Sequence, residues 1–136
     1  MTIYEIEQEI IEEFALFDDW MQRYEYIIDL GKNLPLIAPE FKTEDYLIKG
    51  CQSQLWLHAS KQNEVLYFTA DSDAIITKGL VALMVRVMSG QTPTDIVTAP
   101  LNFITQIGLT EHLSPTRANG LLAMVKQIKL YAQASV

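Results

Sequence analysis

The sequence predicts an α+β fold, with helices packed on one face of a small three-stranded antiparallel sheet. Three observations lead there. Apolar residues recur at helical spacing before Gly31 and again from Ala74 onward. Between Tyr46 and Thr69 three short β-prone segments follow one another, the last two joined tightly. And 136 residues, 49% of them apolar, supply the core of one domain spanning 1–136 rather than of two.

The first helix is expected over about Thr2 to Phe17. Ile3, Ile6, Ile10, Phe14 and Phe17 form one stripe, and Glu5, Glu9, Glu12 and Glu13 lie on the other face. Asp18 or Asp19 suits the cap of a second helix, which buries Trp20, Tyr24, Ile27 and Ile28 and stops at Gly31. Leu34 to Asp45, with Pro35 and Pro39, reads as a long loop with hydrophobic pegs.

Tyr46-Leu47-Ile48 is the first expected strand, stopped by Gly50. Gln54 to Ala59 is the second, with Leu55, Leu57 and Ala59 on one face, and a Gln62-Asn63 turn leads into the third, Val65 to Thr69. Ala74 to Ser89 is apolar on most sides and should form a central, largely buried helix ending at Gly90. Thr92-Pro93-Thr94-Asp95 and Pro100 open two short helices, and Gly108 closes the second. Ser114-Pro115 then starts the last helix, which runs toward Ala134 with Leu121, Leu122, Val125 and Ile128 inward.

Charge excludes some functions. The net charge is −7, with 15 Asp and Glu against 5 Lys and Arg up to Asp73, and 2 against 5 beyond it. An acidic chain with no long basic run is a poor binder of nucleic acid. No apolar run approaches the roughly 20 residues needed to span a membrane, and the acidic start is unlike a secretory signal. A cytoplasmic protein without membrane association is the expectation.

Cys51 is the single cysteine, and only His58 and His112 accompany it as soft ligands. The chain alone can therefore build no disulfide, no CxxC pair and no four-cysteine metal site. Cys51 reads either as a small buried hydrophobe or as a working thiol, since Gly50, Gln52 and Ser53 place it on a polar connection between strands. A thiol on a mobile loop suits sulfur exchange, in which a thiolate attacks the outer sulfur of a persulfide. A cysteine hydrolase would need a histidine base, and a regular strand carries His58 away from Cys51.

Two further places invite function. Asp71-Ser72-Asp73 precedes the central helix, where at least one carboxylate is expected to cap, leaving the other for a partner's arginine or lysine. Arg117 sits in the first turn of the last helix, against the helix dipole, so either an internal salt bridge or a contact near the cysteine loop should explain it.

Taken together, these residues resemble one family. Gly50-Cys51-Gln52-Ser53-Gln54-Leu55-Trp56, Ala70-Asp71-Ser72-Asp73-Ala74, Lys78-Gly79-Leu80 and His112-Leu113-Ser114-Pro115-Thr116-Arg117 are similar to the SufE-like sulfur acceptors. Trp20, Arg23-Tyr24, Leu30-Gly31-Lys32, Leu34-Pro35 and Asn119-Gly120-Leu121 extend the match from about Trp20 to Ile128. The resemblance implies a fold shared with IscU-type scaffolds. It implies that Cys51 takes persulfide sulfur from a pyridoxal-phosphate cysteine desulfurase (SufS-like or CsdA-like), stimulates that enzyme, and passes the sulfur to a SufBCD-like iron–sulfur scaffold. Under it the chain holds no cofactor and no metal; pyridoxal phosphate belongs to the partner. Gly50, Gln52, Ser53, Asp71, Asp73 and Arg117 are the candidates for shaping the loop or touching the partner. The alternative is an adaptor that activates the desulfurase without carrying sulfur. In the resting protein the Cys51 thiol is expected to be folded back against apolar groups, safe from oxidation.

Overall fold

A computed structural model describes residues 1–50 and 53–136. Helix α1 spans Ile3–Ala15 and is opened by a reciprocal cap: Thr2 Oγ1 accepts from the Glu5 amide at 3.1 Å while Glu5 Oε1 accepts from the Thr2 amide at 2.9 Å. Ile3, Ile10 and Phe14 are buried as expected. Helix α2, Trp20–Gly31, is capped by Asp19, whose Oδ1 accepts from the Gln22 amide at 2.9 Å. Gly31 does end α2, but with ordinary helical backbone. It is glycine for another reason: a Cβ there would lie 3.0 Å from the Gly79 amide nitrogen of α3 (Ile75–Met88), which crosses at this point.

The loop from Leu34 carries two short 3-10 turns, Pro39–Phe41 and Glu44–Tyr46. Strands β1 (Leu55–Gln62) and β2 (Val65–Ser72) then pair antiparallel around a two-residue turn, with Asn63 at φ 58°. Asparagine tolerates that left-handed backbone. The register sets Leu57 opposite Ala70 and Ala59 opposite Phe68, so one apolar face forms and α3 covers it.

The expected third strand is corrected here: among the described residues the sheet has two strands. Tyr46 is wound into the turn before it, its amide bonding Thr43 O at 3.1 Å, and Gly50 turns away at φ +95°. Only Leu47 and Ile48 are left extended. They make one bridge, Leu47 to Trp56, with the Ile48 amide on Leu55 O at 2.8 Å.

Helix α3 is the central helix, with Leu80, Val81, Leu83, Met84, Val87 and Met88 inside. Three short helices follow: α4 (Pro93–Thr98), α5 (Phe103–Gln106) and α6 (Leu109–His112). Gly108, at φ +81°, closes α5 as expected, and α6, which the sequence did not signal, follows directly. Helix α7, Pro115–Ala134, starts at Ser114 as expected, and packs on α3 and α4. Its inward face is Leu121, Met124, Ile128 and Ala132, spaced three to four residues apart; Leu122 falls about 100° round the helix and is exposed. Among the described residues no helix is long and apolar enough to cross a membrane.

Candidate functional site

Cys51 and Gln52 lie outside the described residues, and with them the expectation of a folded-back thiol. The chain on either side is well placed. Gly50 is exposed, and a Cβ on it would come within 3.3 Å of the Ala123 side chain on α7. Its positive φ favours glycine independently of that contact. On the far side, Ser53 is half-buried with its Oγ 3.4 Å from Thr77 Oγ1 on α3. Gly50 thus lies close to α7, and Ser53 meets α3 through Thr77.

The Asp71-Ser72-Asp73 turn fixes the next residue. Asp73 Oδ1 accepts from the Gln54 amide at 3.0 Å, and Gln54 O accepts from Ser72 Oγ at 2.8 Å and from the Asp73 amide at 3.2 Å. This corrects the capping expectation. Ala74, not a carboxylate, is the α3 N-cap residue, and the hydroxyl of Ser72 accepts its amide at 3.2 Å. Asp71 is engaged within the chain: Lys42 Nζ stands 3.0 Å from one carboxylate oxygen, and Lys78 Nζ 3.4 Å from the other. Burial alone would push its carboxyl up, but the Lys42 hydrogen bond, the Ser72 amide and the Lys78 charge outweigh it and hold it below the usual carboxylate range. Asp73 is exposed.

Arg117 does not form an ion pair among the described residues. Its side chain lines a shallow cleft of about 720 Å³ together with Ser53, Ile75, Thr77 and Thr116. Ser53 is the described residue by which this cleft borders the cysteine segment. Beneath the cleft, Leu80, Leu121 and Met124 line a narrow void of about 20 Å³, also bordered by Ser53. Ile75 is 65% exposed at the cleft's rim.

Both histidines are occupied elsewhere. His58 stacks on Phe41 with centroids 3.9 Å apart, and His112 stacks on Trp20 at 4.1 Å while its Nδ1 lies 3.1 Å from Gly108 O. Neither lines the cleft at Ser53. Among the described residues no three His, Cys, Asp or Glu gather as metal ligands do.

Sequence reasoning missed Lys42 and Thr77. Lys42 reaches Asp71 across 29 positions from an irregular loop, and no local pattern signals that. Thr77 sits on a mostly apolar helix, where one hydroxyl meeting Ser53 leaves no periodic trace.

The described residues define a class, an antiparallel hairpin covered by helices, and the SufE family, described as an Fe-S metabolism associated domain, matches residues 8–132. The chain belongs to the SufE family. Among individual proteins, it is 43% identical over 130 residues to an uncharacterized SufE-like protein of Rhizobium meliloti, covering 92% of this chain and 93% of that one. It is also 43% identical over 126 residues to an uncharacterized SufE-like protein of Rhizobium etli, covering 89% and 85%. A solution structure of a hypothetical protein from Thermus thermophilus shares the fold, with a TM-score of 0.79 over 96% of this chain and 95% of that one at 19% identity.

Proposed function

We propose that this protein is a sulfur acceptor of iron–sulfur metabolism, working in the cytoplasm, with Cys51 as its carrier. The thiolate of Cys51 attacks the outer sulfur of a persulfide on a pyridoxal-phosphate cysteine desulfurase. The donor's S–S bond breaks, its electron pair leaves with the inner sulfur as a thiolate, and Cys51 becomes the persulfide. No net oxidation occurs. A scaffold protein then takes the terminal sulfur by the same exchange, and removal of the desulfurase's persulfide is what stimulates that enzyme.

The observation that carries this reading is the setting of the only cysteine. On one side of it Gly50 lies close to α7, on the other Ser53 meets Thr77 of α3, and an exposed Arg117, unpaired among the described residues, lines the same cleft as Ser53. A structural cysteine needs none of this. A guanidinium next to a thiol favours the thiolate. Family membership supplies the link to iron–sulfur metabolism.

The test is mass spectrometry of the chain after incubation with desulfurase and cysteine. A single added sulfur on Cys51, absent in Cys51→Ser together with the stimulation of the desulfurase, is the expected result. Full stimulation by Cys51→Ser would leave only the adaptor reading.

A further inference from the structure

A second cavity, of about 400 Å³, opens between the start of α1 and the α4–α5 region, and shares no residue with the cleft at Ser53. Glu7 stands in its wall. Glu7 is only 7% exposed, and one of its oxygens accepts from the Phe103 amide at 3.2 Å. The other oxygen has no hydrogen-bond partner among the described residues, yet it is not sealed from solvent. Glu7 lines the cavity.

Thr2 and Thr98 in the wall bond within their own helical turns, and four other polar residues there are uncommitted. The side chains of Asp95, Gln8, Asn102 and Gln106 border the space, and none of them hydrogen-bonds to another described group. No lysine or arginine lines it. Two carboxylates, three amides and no cation make a negative site. Ile3, Ala99 and Pro100 add an apolar floor. A burial cost bears on Glu7, whose carboxyl is pushed up by desolvation and only partly brought back by the Phe103 amide. A bound cation would relieve that cost.

We propose that this cavity binds a small alkyl diamine, one ammonium on the inner oxygen of Glu7, the other toward Asp95 at the rim, and the methylene chain over Pro100 and Ala99. The volume lies within the range of small-molecule sites. An amino acid fits less well, because its own carboxylate would meet Asp95. A phosphate-bearing ligand has no cation to meet.

The experiment is an amide-resolved NMR titration of the full chain with putrescine, with butanediol as the uncharged control of equal length. The expected result is saturating shifts at Glu7, Asp95, Asn102 and Phe103 with putrescine only. Glu7→Gln keeps the acceptor for the Phe103 amide but not the charge, and should weaken binding by about tenfold. Asp95→Asn, on an exposed side chain, should weaken it as well, and it decides the matter should Glu7→Gln fail to fold. Three outcomes overturn the proposal: no saturation, equal shifts with butanediol, or binding unchanged in the variants. Shifts spread over acidic surface residues such as Glu40 and Glu44, without the cavity residues, would likewise overturn it. Cys51 chemistry plays no part in this readout.

Discussion

Gly79 lies against the backbone of Ile27 so closely that a Cβ at position 79 would sit 2.0 Å from the Ile27 carbonyl oxygen. Helices α2 and α3 meet there backbone to backbone, and Gly31 faces Gly79 one turn further on. The obstacle is main chain, not a side chain that can rotate aside. Gly79→Ala should therefore cost about 3 kcal/mol or more, although alanine is the better helix former by about 1 kcal/mol. A denaturant titration of that variant checks it, and a loss below about 1 kcal/mol would contradict the close crossing.

The Glu13–Arg86 pair ties α1 to α3, with the guanidinium fork 2.8 and 2.6 Å from the two carboxylate oxygens and Tyr26 OH bonded to the same carboxylate. Arg86 holds the Glu13 carboxyl below its usual range, against the opposing effect of burial, and Tyr26 helps. Stability from Glu13 is thus complete above its ordinary pKa near 4.5 and is lost as pH falls through the depressed folded value. Tyr26 runs the other way: burial, then the Glu13 hydrogen bond, push it up to about 12 from 10.0. Its contribution is whole below pH 10 and is lost as pH rises toward 12. Thermal melts across pH should show both limbs, and Tyr26→Phe should remove the alkaline one while only weakening the acid one, which Arg86 mainly supplies.

Ser72→Ala should loosen the turn that holds Gln54. It removes the donor to Gln54 O and the acceptor for the Ala74 amide, so a loss of about 1 kcal/mol is expected. Hydrogen exchange locates the effect: the Asp73 and Ala74 amides should exchange faster, while those of Leu83 and Met84 follow only the global change.

Arg117→Ala separates stability from the proposed activity. The side chain is exposed and unpaired among the described residues, so unfolding should shift by no more than about 0.5 kcal/mol. On the proposed function sulfur uptake by Cys51 should slow, since the cleft bordered by Ser53 loses its guanidinium. Alkylation rate against pH reads this directly, and an unchanged thiol pKa would remove Arg117 from the mechanism.

Lys129 gives a stability test away from the site. Its Nζ lies within 3.1 Å of the carbonyl oxygens of Ile96, Val97 and Ala99, closing the end of α4. Lys129→Met keeps the stem but leaves these carbonyls without that donor, at a cost of about 1–3 kcal/mol. A fall in Tm with no change in sulfur transfer is expected.

What the sequence made legible follows from the range of the interactions. Caps are local, so Ser114 could be assigned from its own neighbours and the α2 cap narrowed to Asp18 or Asp19, and strong periodicity marked α1, α3 and the β-hairpin. The third strand failed because alternation over Tyr46-Leu47-Ile48 does not reveal that the preceding turn consumes Tyr46. Leu122 was misplaced because α7 is apolar round much of its circumference, and only contact with α3 and α4 selects Leu121 and Met124. At the site, Gly50 and Ser53 could be found beside Cys51 in the chain. The engagement of Asp71 by Lys42 could not, since it depends on where an irregular loop returns.

The single bridges flanking the hairpin also govern how this protein meets others of its kind. A two-stranded sheet has two outer edges, and open edges invite growth by strand addition. Here Leu47 and Ile48 occupy β1 at Trp56 and Leu55, while Leu36, Ile37 and Gln91 occupy β2 at Ala70 and Leu66. Lys61, near the hairpin turn, is drawn to Ser135 O at the end of the chain. The bridging segments cover β2 at Ala70 and Leu66 and β1 as far as Trp56, so the backbone open to strand addition is confined to the far half of one short strand.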